Sequence, residues 1–270
     1  MMKYLSYYGL ESNPFVDKFD KGKAYLSNNY NNMYFRLKYL EEIKGIGLFV
    51  GPPGMGKTYT LKCYLENLNK DLYKIIQVTT TNMGQFEILL QMAKELGVDP
   101  GNYFKSLLET RVKEAIINLK VNYRKEVIIV IDNIQNIKKS ALEEIQYLIE
   151  SDYGTNETFV MIMLGEESFK DSTLKITKFE GLRQRIVVNY KLTALTREEV
   201  KEYIRTLLKY AGCEREIIGE SGYTAIFNIS GGIPRKINKI VSSSLMLGFQ
   251  KKEQKISNET IMESKYEVIL

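Results

Sequence analysis

Three short runs in this 270-residue chain lack any polar alternation. They are GIGLFVG ending at Gly51, EVIIVID from Glu126 to Asp132, and TFVMIMLG ending at Gly165. A strand with one face in water alternates apolar and polar residues. A strand apolar on both faces must be covered on both, which is the signature of a parallel sheet between helical layers. LYKIIQVTT and RIVVNYKL read as two further strands. Between the runs lie helical patterns: KTYTLKCYLENLNK, GQFEILLQMAKELG with Phe86, Leu89, Leu90 and Ala93 on one face, a helix from about Tyr103 to Lys120, and SALEEIQYLIES. The alternation predicts βαβ units and an α/β fold, with a five-stranded parallel sheet flanked by helices. From about Thr196 strand signals stop, and TREEVKEYIRTLLKYAG, YTAIFNIS and PRKINKIVSSSLMLGF read as helices. The expected division is an α/β domain over 1–195, with an N-terminal box over 1–45, and a small all-helical domain over 196–270.

Composition narrows the chemistry. The chain has no histidine, which excludes imidazole base catalysis and His-ligated zinc. Its two cysteines, Cys63 and Cys213, form no disulfide framework and have no metal-ligand spacing. The net charge of +5 permits an acidic partner such as nucleic acid without requiring one. No apolar run reaches the roughly 18 residues of a membrane span, and the start has no signal-peptide core. No membrane association is expected, and the expected location is cytoplasmic.

GPPGMGKT, Gly51 to Thr58, follows the first strand and opens a helix. This is the P-loop pattern. Glycines let backbone N–H groups turn toward phosphate oxygens, a lysine reaches the β/γ-phosphates, and a hydroxyl coordinates Mg²⁺. Gly51, Pro52, Pro53, Gly54, Met55, Gly56, Lys57, Thr58 and the following Tyr59 are the candidate ATP-binding set. The helix from Lys57 aims its positive end at the same anion. A second metal anchor is needed. Asp132, at the C-terminal end of a buried strand where ligands bind in such sheets, is placed with Thr58 as a Mg²⁺ ligand.

Taken together, these stretches resemble the AAA+ ATPases, and most closely the branch of ExeA-type secretion ATPases and MuB-, TnsC- and TniB-like transposition regulators. YYGLESNPF resembles that branch's opening box. IDNIQNIKKSALEEIQYL resembles its Walker B strand and following helix, and MIMLGEESF the end of strand four. GLRQRIVVNYKLTALTREEVKEYI resembles the arginine-finger region and lid entry, and SGGIPRKINKI the sensor-two helix. The resemblance implies that Arg185, with Arg183 as rival, is a finger reaching a neighbouring subunit's nucleotide. It also implies that Arg235 is sensor two. The residue pattern agrees for Arg235: Pro234 starts a helix and puts a cation in its first turn, where the macrodipole disfavours it unless an anion is bound. Asn133 departs from the family, standing where a catalytic Glu is expected. Asn orients water but takes no proton, so ATP hydrolysis is expected to be slow. Glu166, or Glu167, is the alternative carboxylate.

The resemblance implies a homo-oligomer, ring or helical filament, that binds duplex DNA without sequence preference and recruits a transposase. The DNA contacts are placed in the loop after strand two, at Thr79, Thr80, Thr81 and Asn82, with Lys105 and Lys74 nearby and Arg235, Lys236 and Lys239 as the other basic run. Secretion-type relatives continue into a transmembrane helix and a further domain. The end at Leu270 tips the expectation toward the transposition regulators. The alternatives are a remodeller or loader acting on a protein partner, and a slow-hydrolysing, nucleotide-gated assembly module.

Overall fold

The computed structural model describes residues 3–16, 19–101, 104–150 and 159–268. Along the chain run α1 (Lys3–Tyr8), α2 (Asn28–Ile43), β1 (Ile46–Val50), α3 (Lys57–Leu65), β2 (Tyr73–Thr79), α4 (Gln85–Leu96) and α5 (Lys105–Val121). There follow β3 (Glu126–Asp132), α6 (Lys139–Glu150), β4 (Phe159–Gly165), α7 (Glu180–Arg185) and β5 (Ile186–Lys191). The last helices are α8 (Arg197–Tyr210), α9 (Glu220–Ser230), α10 (Pro234–Gln250) and α11 (Asn258–Val268). The chain divides into two compact units: residues 32–53 with 57–192, and residues 1–31 with 54–56 and 193–270.

The first of these units holds one five-stranded sheet in the order β2-β3-β4-β1-β5, every neighbour pair parallel. Every residue of β1 and β4 is buried, as the unbroken apolar runs require. Because all strands run the same way, their C-terminal ends share one edge. Val50 pairs with Gly165 and Thr79 with Asp132 there, so the loops after β1, β2, β3 and β4 emerge side by side. In an open α/β sheet this edge is where ligands bind.

Local chemistry sets the element ends. Glu87 accepts the Gly84 N–H (3.0 Å) at the start of α4, and Gly97, at φ 74°, takes the left-handed conformation that closes it. The buried face of α4 is Ile88, Leu89, Met92 and Ala93, rotated from the face expected; Phe86 is exposed. Helix α3 stops at Leu65, earlier than its pattern suggested. There the Asn67 side chain bonds the Cys63 carbonyl at 2.9 Å, satisfying a C-terminal orphan that another helical turn would have used.

The second unit is helical, and its core joins Leu5, Tyr8, Leu10 and Phe15 to residues such as Ile204, Val241 and Ile261. Residues 1–31, placed by chain order with the α/β domain, gather instead with the C-terminal helices. The Tyr8 hydroxyl donates to the Glu253 carbonyl at 3.0 Å, and a Cβ on Gly248 would lie 2.5 Å from that hydroxyl oxygen, so a larger residue there would displace Tyr8. A capping box opens α8: Glu199 N–H donates to Thr196 Oγ1 (3.2 Å) and Thr196 N–H to Glu199 Oε2 (3.0 Å). Helix α11 had no counterpart among the expected elements. No helix among the described residues is long and apolar enough to cross a membrane.

Candidate nucleotide site

The loop between β1 and α3 takes the shape that its glycines permit. Gly54 and Gly56 sit at φ 84° and 86°, conformations costly for any residue with a side chain, and a Cβ added at Gly56 would meet nothing within 4 Å. The loop has open space at Gly56, whereas a Cβ at Gly54 would lie 2.7 Å from the Arg235 Cβ. The Lys57 ammonium donates to the carbonyls of Gly51 (2.7 Å) and Pro52 (3.0 Å), which holds the cation over the loop. Met55 is buried, while Pro52 and Pro53 face solvent. The helical unit contains residues 54–56, and within it the Arg235 N–H donates to the Gly54 carbonyl at 3.2 Å. Arg235 lies in the first turn of α10 behind Pro234, and its side chain is exposed.

Thr58 and Asp132 come together as expected: Thr58 Oγ1 donates to Asp132 Oδ2 at 2.9 Å. The other carboxylate oxygen of Asp132 accepts the Asn133 N–H at 2.8 Å. Asp132 is buried, so these bonds offset the cost of removing its charge from water. A hydroxyl and a carboxylate oxygen at the end of the P-loop are hard oxygen donors that suit Mg²⁺. The Lys57 cation and the two oxygens fit an ATP–Mg²⁺ ligand.

Asn133 follows at φ 58°, ψ 40°, the left-handed region that asparagine tolerates better than most residues. Its side chain is exposed and makes no hydrogen bond among the described residues. The turn is fastened from behind by Thr80, whose hydroxyl donates to the carbonyls of Asp132 (3.1 Å) and Asn133 (2.5 Å). This corrects the expectation for Thr80. It is fully buried and unavailable to DNA, and its hydroxyl staples β2 to the turn after β3. Thr79, Thr81 and Asn82 are exposed. The Lys105 ammonium pairs with the buried Glu144 at 2.5 Å, which offsets part of its charge.

At the end of β4, the Glu166 N–H donates to Gln135 Oε1 at 3.2 Å. Gln135 thus ties the exits of β3 and β4, a role that an amide in a loop does not advertise in sequence. Glu167, the rival carboxylate, is ion-paired with Lys191 at 2.7 Å. Arg185 lies 3.5 Å from Glu150 and Arg183 3.5 Å from Glu180, both partly exposed. Both arginines close α7.

A further group anchors the far end of the P-loop helix. Glu41 of α2 accepts the hydroxyls of Tyr64 (2.9 Å) on α3 and of Tyr73 on β2. Burial first, and then the hydrogen bond to Glu41, push the Tyr64 phenol well above its ordinary range and that of Tyr73 up to about 12. Both remain protonated donors at physiological pH. Helix α3 is therefore held at both ends, which fixes Lys57 and Thr58 against the strand edge.

A parallel sheet in this strand order, with a glycine-rich loop after β1 and a carboxylate at the end of β3, is the α/β P-loop fold of the AAA+ ATPases. Residues 41–172 match the family described as AAA domain. Across 268 residues, 98% of this chain, the sequence is 26% identical to General secretion pathway protein A of Aeromonas hydrophila. The chain spans about half, 48%, of that relative's length. Among solved structures, Cdc6p from Pyrobaculum aerophilum aligns with a TM-score of 0.73 at 16% identity, over 95% of this chain and 71% of that one. The Aeropyrum pernix ORC1 protein in complex with DNA aligns with a TM-score of 0.69 at 12% identity, over 94% of this chain and 68% of that one. At such identities the likeness is one of fold.

Proposed function

We propose that this chain is an ATP-gated AAA+ switch of the transposition-regulator kind. It assembles with copies of itself on duplex DNA when ATP is bound, and recruits a transposase there. The observation that carries the nucleotide part is the 2.9 Å bond between Thr58 and Asp132, beside a loop with open space at Gly56. Bound ATP–Mg²⁺ supplies a hydrolysable phosphoanhydride and a divalent charge. Lys57 holds the phosphate end by charge, Thr58 and Asp132 offer oxygen ligands, and Arg235 adds a cation. Tyr59 continues α3 beyond the loop. Asn133 positions water without accepting a proton, so the ATP-bound state is long-lived. Arg185 acts across the interface between copies. The exposed side chains of Thr79, Thr81 and Asn82 present donors to phosphate oxygens. The DNA part draws on the similarity to a structure of ORC1 in complex with DNA, and the transposase on the resemblance of the opening box, LRQRI and GGIPRKIN stretches.

The test is retention on a 30-base-pair duplex with a non-hydrolysable ATP analogue, over a series of salt concentrations and several sequences. Sequence-tolerant retention that needs the analogue and weakens steeply with salt is expected. Absence of retention at low salt overturns the DNA reading, and retention that survives Lys57→Ala overturns the ATP gate. A second reading is a module that acts on a protein partner, favoured by the 26% identity to a secretion-pathway protein over nearly the whole chain. ATP turnover stimulated by a protein fraction and not by DNA would select it.

A further inference from the structure

Two lysines beside the exposed loop after β2 are unclaimed by any acid. Lys138 and Lys139 are exposed, and neither has an ion-pair or hydrogen-bond partner for its side chain among the described residues. The loop after β3 carries them directly to the loop after β2. Asn82 N–H donates to the Asn136 carbonyl at 3.0 Å, and Lys138 N–H to the Met83 carbonyl at 3.3 Å, so the two loops form one surface. Asn82, at φ 41°, sits in the left-handed region at the crest of this joint.

The nearby acids are occupied. Glu143, one helical turn beyond Lys139, is taken by Lys178 at 2.6 Å. Glu144 is buried against Lys105, and Glu87 caps Gly84. The lysines also stand at the start of α6, where the macrodipole repels cations, so helix stability does not explain them. What remains is a local excess of two positive charges, flanked by the hydroxyls of Thr79 and Thr81 and by the amides of Asn82 and Asn136.

The geometry points to Lys138 and Lys139 as the principal phosphate contacts of this protein, with the loop at Thr81 and Asn82 as the hydrogen-bonding half of one duplex-DNA site. The inference rests on the DNA reading above and moves its charge from Lys105 and the stretch around Arg235 to the joint between the β2 and β3 loops. Contacts of this kind fix position on the backbone and carry no sequence information.

The experiment compares the full chain, its Lys138→Gln/Lys139→Gln variant and a charge-matched Lys209→Gln/Lys252→Gln control, each with the same ATP analogue and 30-base-pair duplex. Each lost phosphate contact removes about 0.9 from the log–log salt slope, so the double variant should be shallower by roughly 2. At 50 mM salt its affinity should fall on the order of 10²-fold on every sequence, by the same counterion term. The control should match the wild type. Thermal unfolding separates this from misfolding: removing two cations from a helix start should leave the midpoint unchanged or slightly raised. If the wild type binds no DNA, the underlying reading fails. If the wild type binds and the double variant retains its full salt slope, this inference alone fails. Retention on poly-glutamate as tight as on duplex would identify an acidic protein surface as the ligand and overturn the assignment to DNA.

Discussion

Replacing Asn133 separates two roles that its position combines. The backbone there is left-handed, at φ 58° and ψ 40°. A residue with an ordinary side chain gives up roughly 1–2 kcal/mol in that conformation, and Asn and Asp give up less. Asn133→Glu should therefore cost about 1 kcal/mol, or roughly 2–4 °C in melting temperature for a unit of this size. Asn133→Asp should cost almost nothing. Both supply a carboxylate beside Asp132. General-base help is worth roughly 10²–10⁴ in rate, so even a misplaced base should raise single-turnover phosphate release about tenfold or more. The assay is phosphate release per subunit with DNA present, run beside thermal melts, for the wild type, both variants and Glu166→Gln. Slow wild-type release, faster release in at least one variant, and a melting penalty confined to Glu are expected. Rapid wild-type release that collapses in Glu166→Gln would move the base to Glu166. Rapid release indifferent to that change would refute the reading of Asn133 as a brake, and an Asn133→Glu melt above wild type would refute the backbone argument.

Thr80→Val keeps the shape of a buried side chain and deletes its two bonds to the Asp132 and Asn133 carbonyls. Each carbonyl keeps a backbone donor, so the cost should be about 1 kcal/mol by denaturant titration, with weaker Mg²⁺–ATP binding; an unchanged midpoint would deny the staple its role. Arg185→Ala should change stability by no more than about 0.5 kcal/mol, because its pair with Glu150 is partly exposed and long, yet reduce sedimenting assemblies formed with an ATP analogue. Assembly equal to wild type would shift the finger to Arg183. The Glu253 carboxyl is raised by burial but lowered further by bonds from Ser257 N–H (2.9 Å), Thr260 Oγ1 (2.9 Å) and Ser257 Oγ (3.0 Å), and its pKa lies below its usual range. A depressed folded-state pKa contributes stability above the unfolded value, and that contribution is lost as pH falls through the folded one. Stability should drop on acidification below the ordinary carboxylate range, and Glu253→Gln should flatten that part of the melting-versus-pH curve.

The sheet was legible because doubly buried strands leave a mark that few other structures imitate: EVIIVID and TFVMIMLG could hardly be anything else. The P-loop was legible because phosphate binding needs glycine at two positive-φ positions and a lysine at a fixed offset. Long-range partners were not. Thr79 to Asn82 reads as a uniform polar loop, yet Thr80 is fully buried and its neighbours are exposed, a difference set by the β3 turn more than fifty residues away. Lys105 looked like free charge because Glu144 lies on another helix. The face of α4 was turned because several apolar stripes were compatible with its sequence and only packing against the sheet selected one. Residues 1–31 gave no sign of their partners, since nothing local links Tyr8 to Glu253.

That last contact has a consequence for synthesis. Tyr8 and Glu253 are 245 residues apart, so at roughly 5–20 residues per second the ribosome needs about 12–50 s to make the second after the first. Leu5, Tyr8, Leu10 and Phe15 have left the tunnel long before then, with their core partners among the last third of the chain still unmade. For most of translation the nascent chain trails an apolar segment that the sheet's own core does not include. A message cut near codon 192 would release a polypeptide able to build every strand, yet carrying an uncovered greasy leader. Such a product should depend on holdase chaperones and precipitate without them.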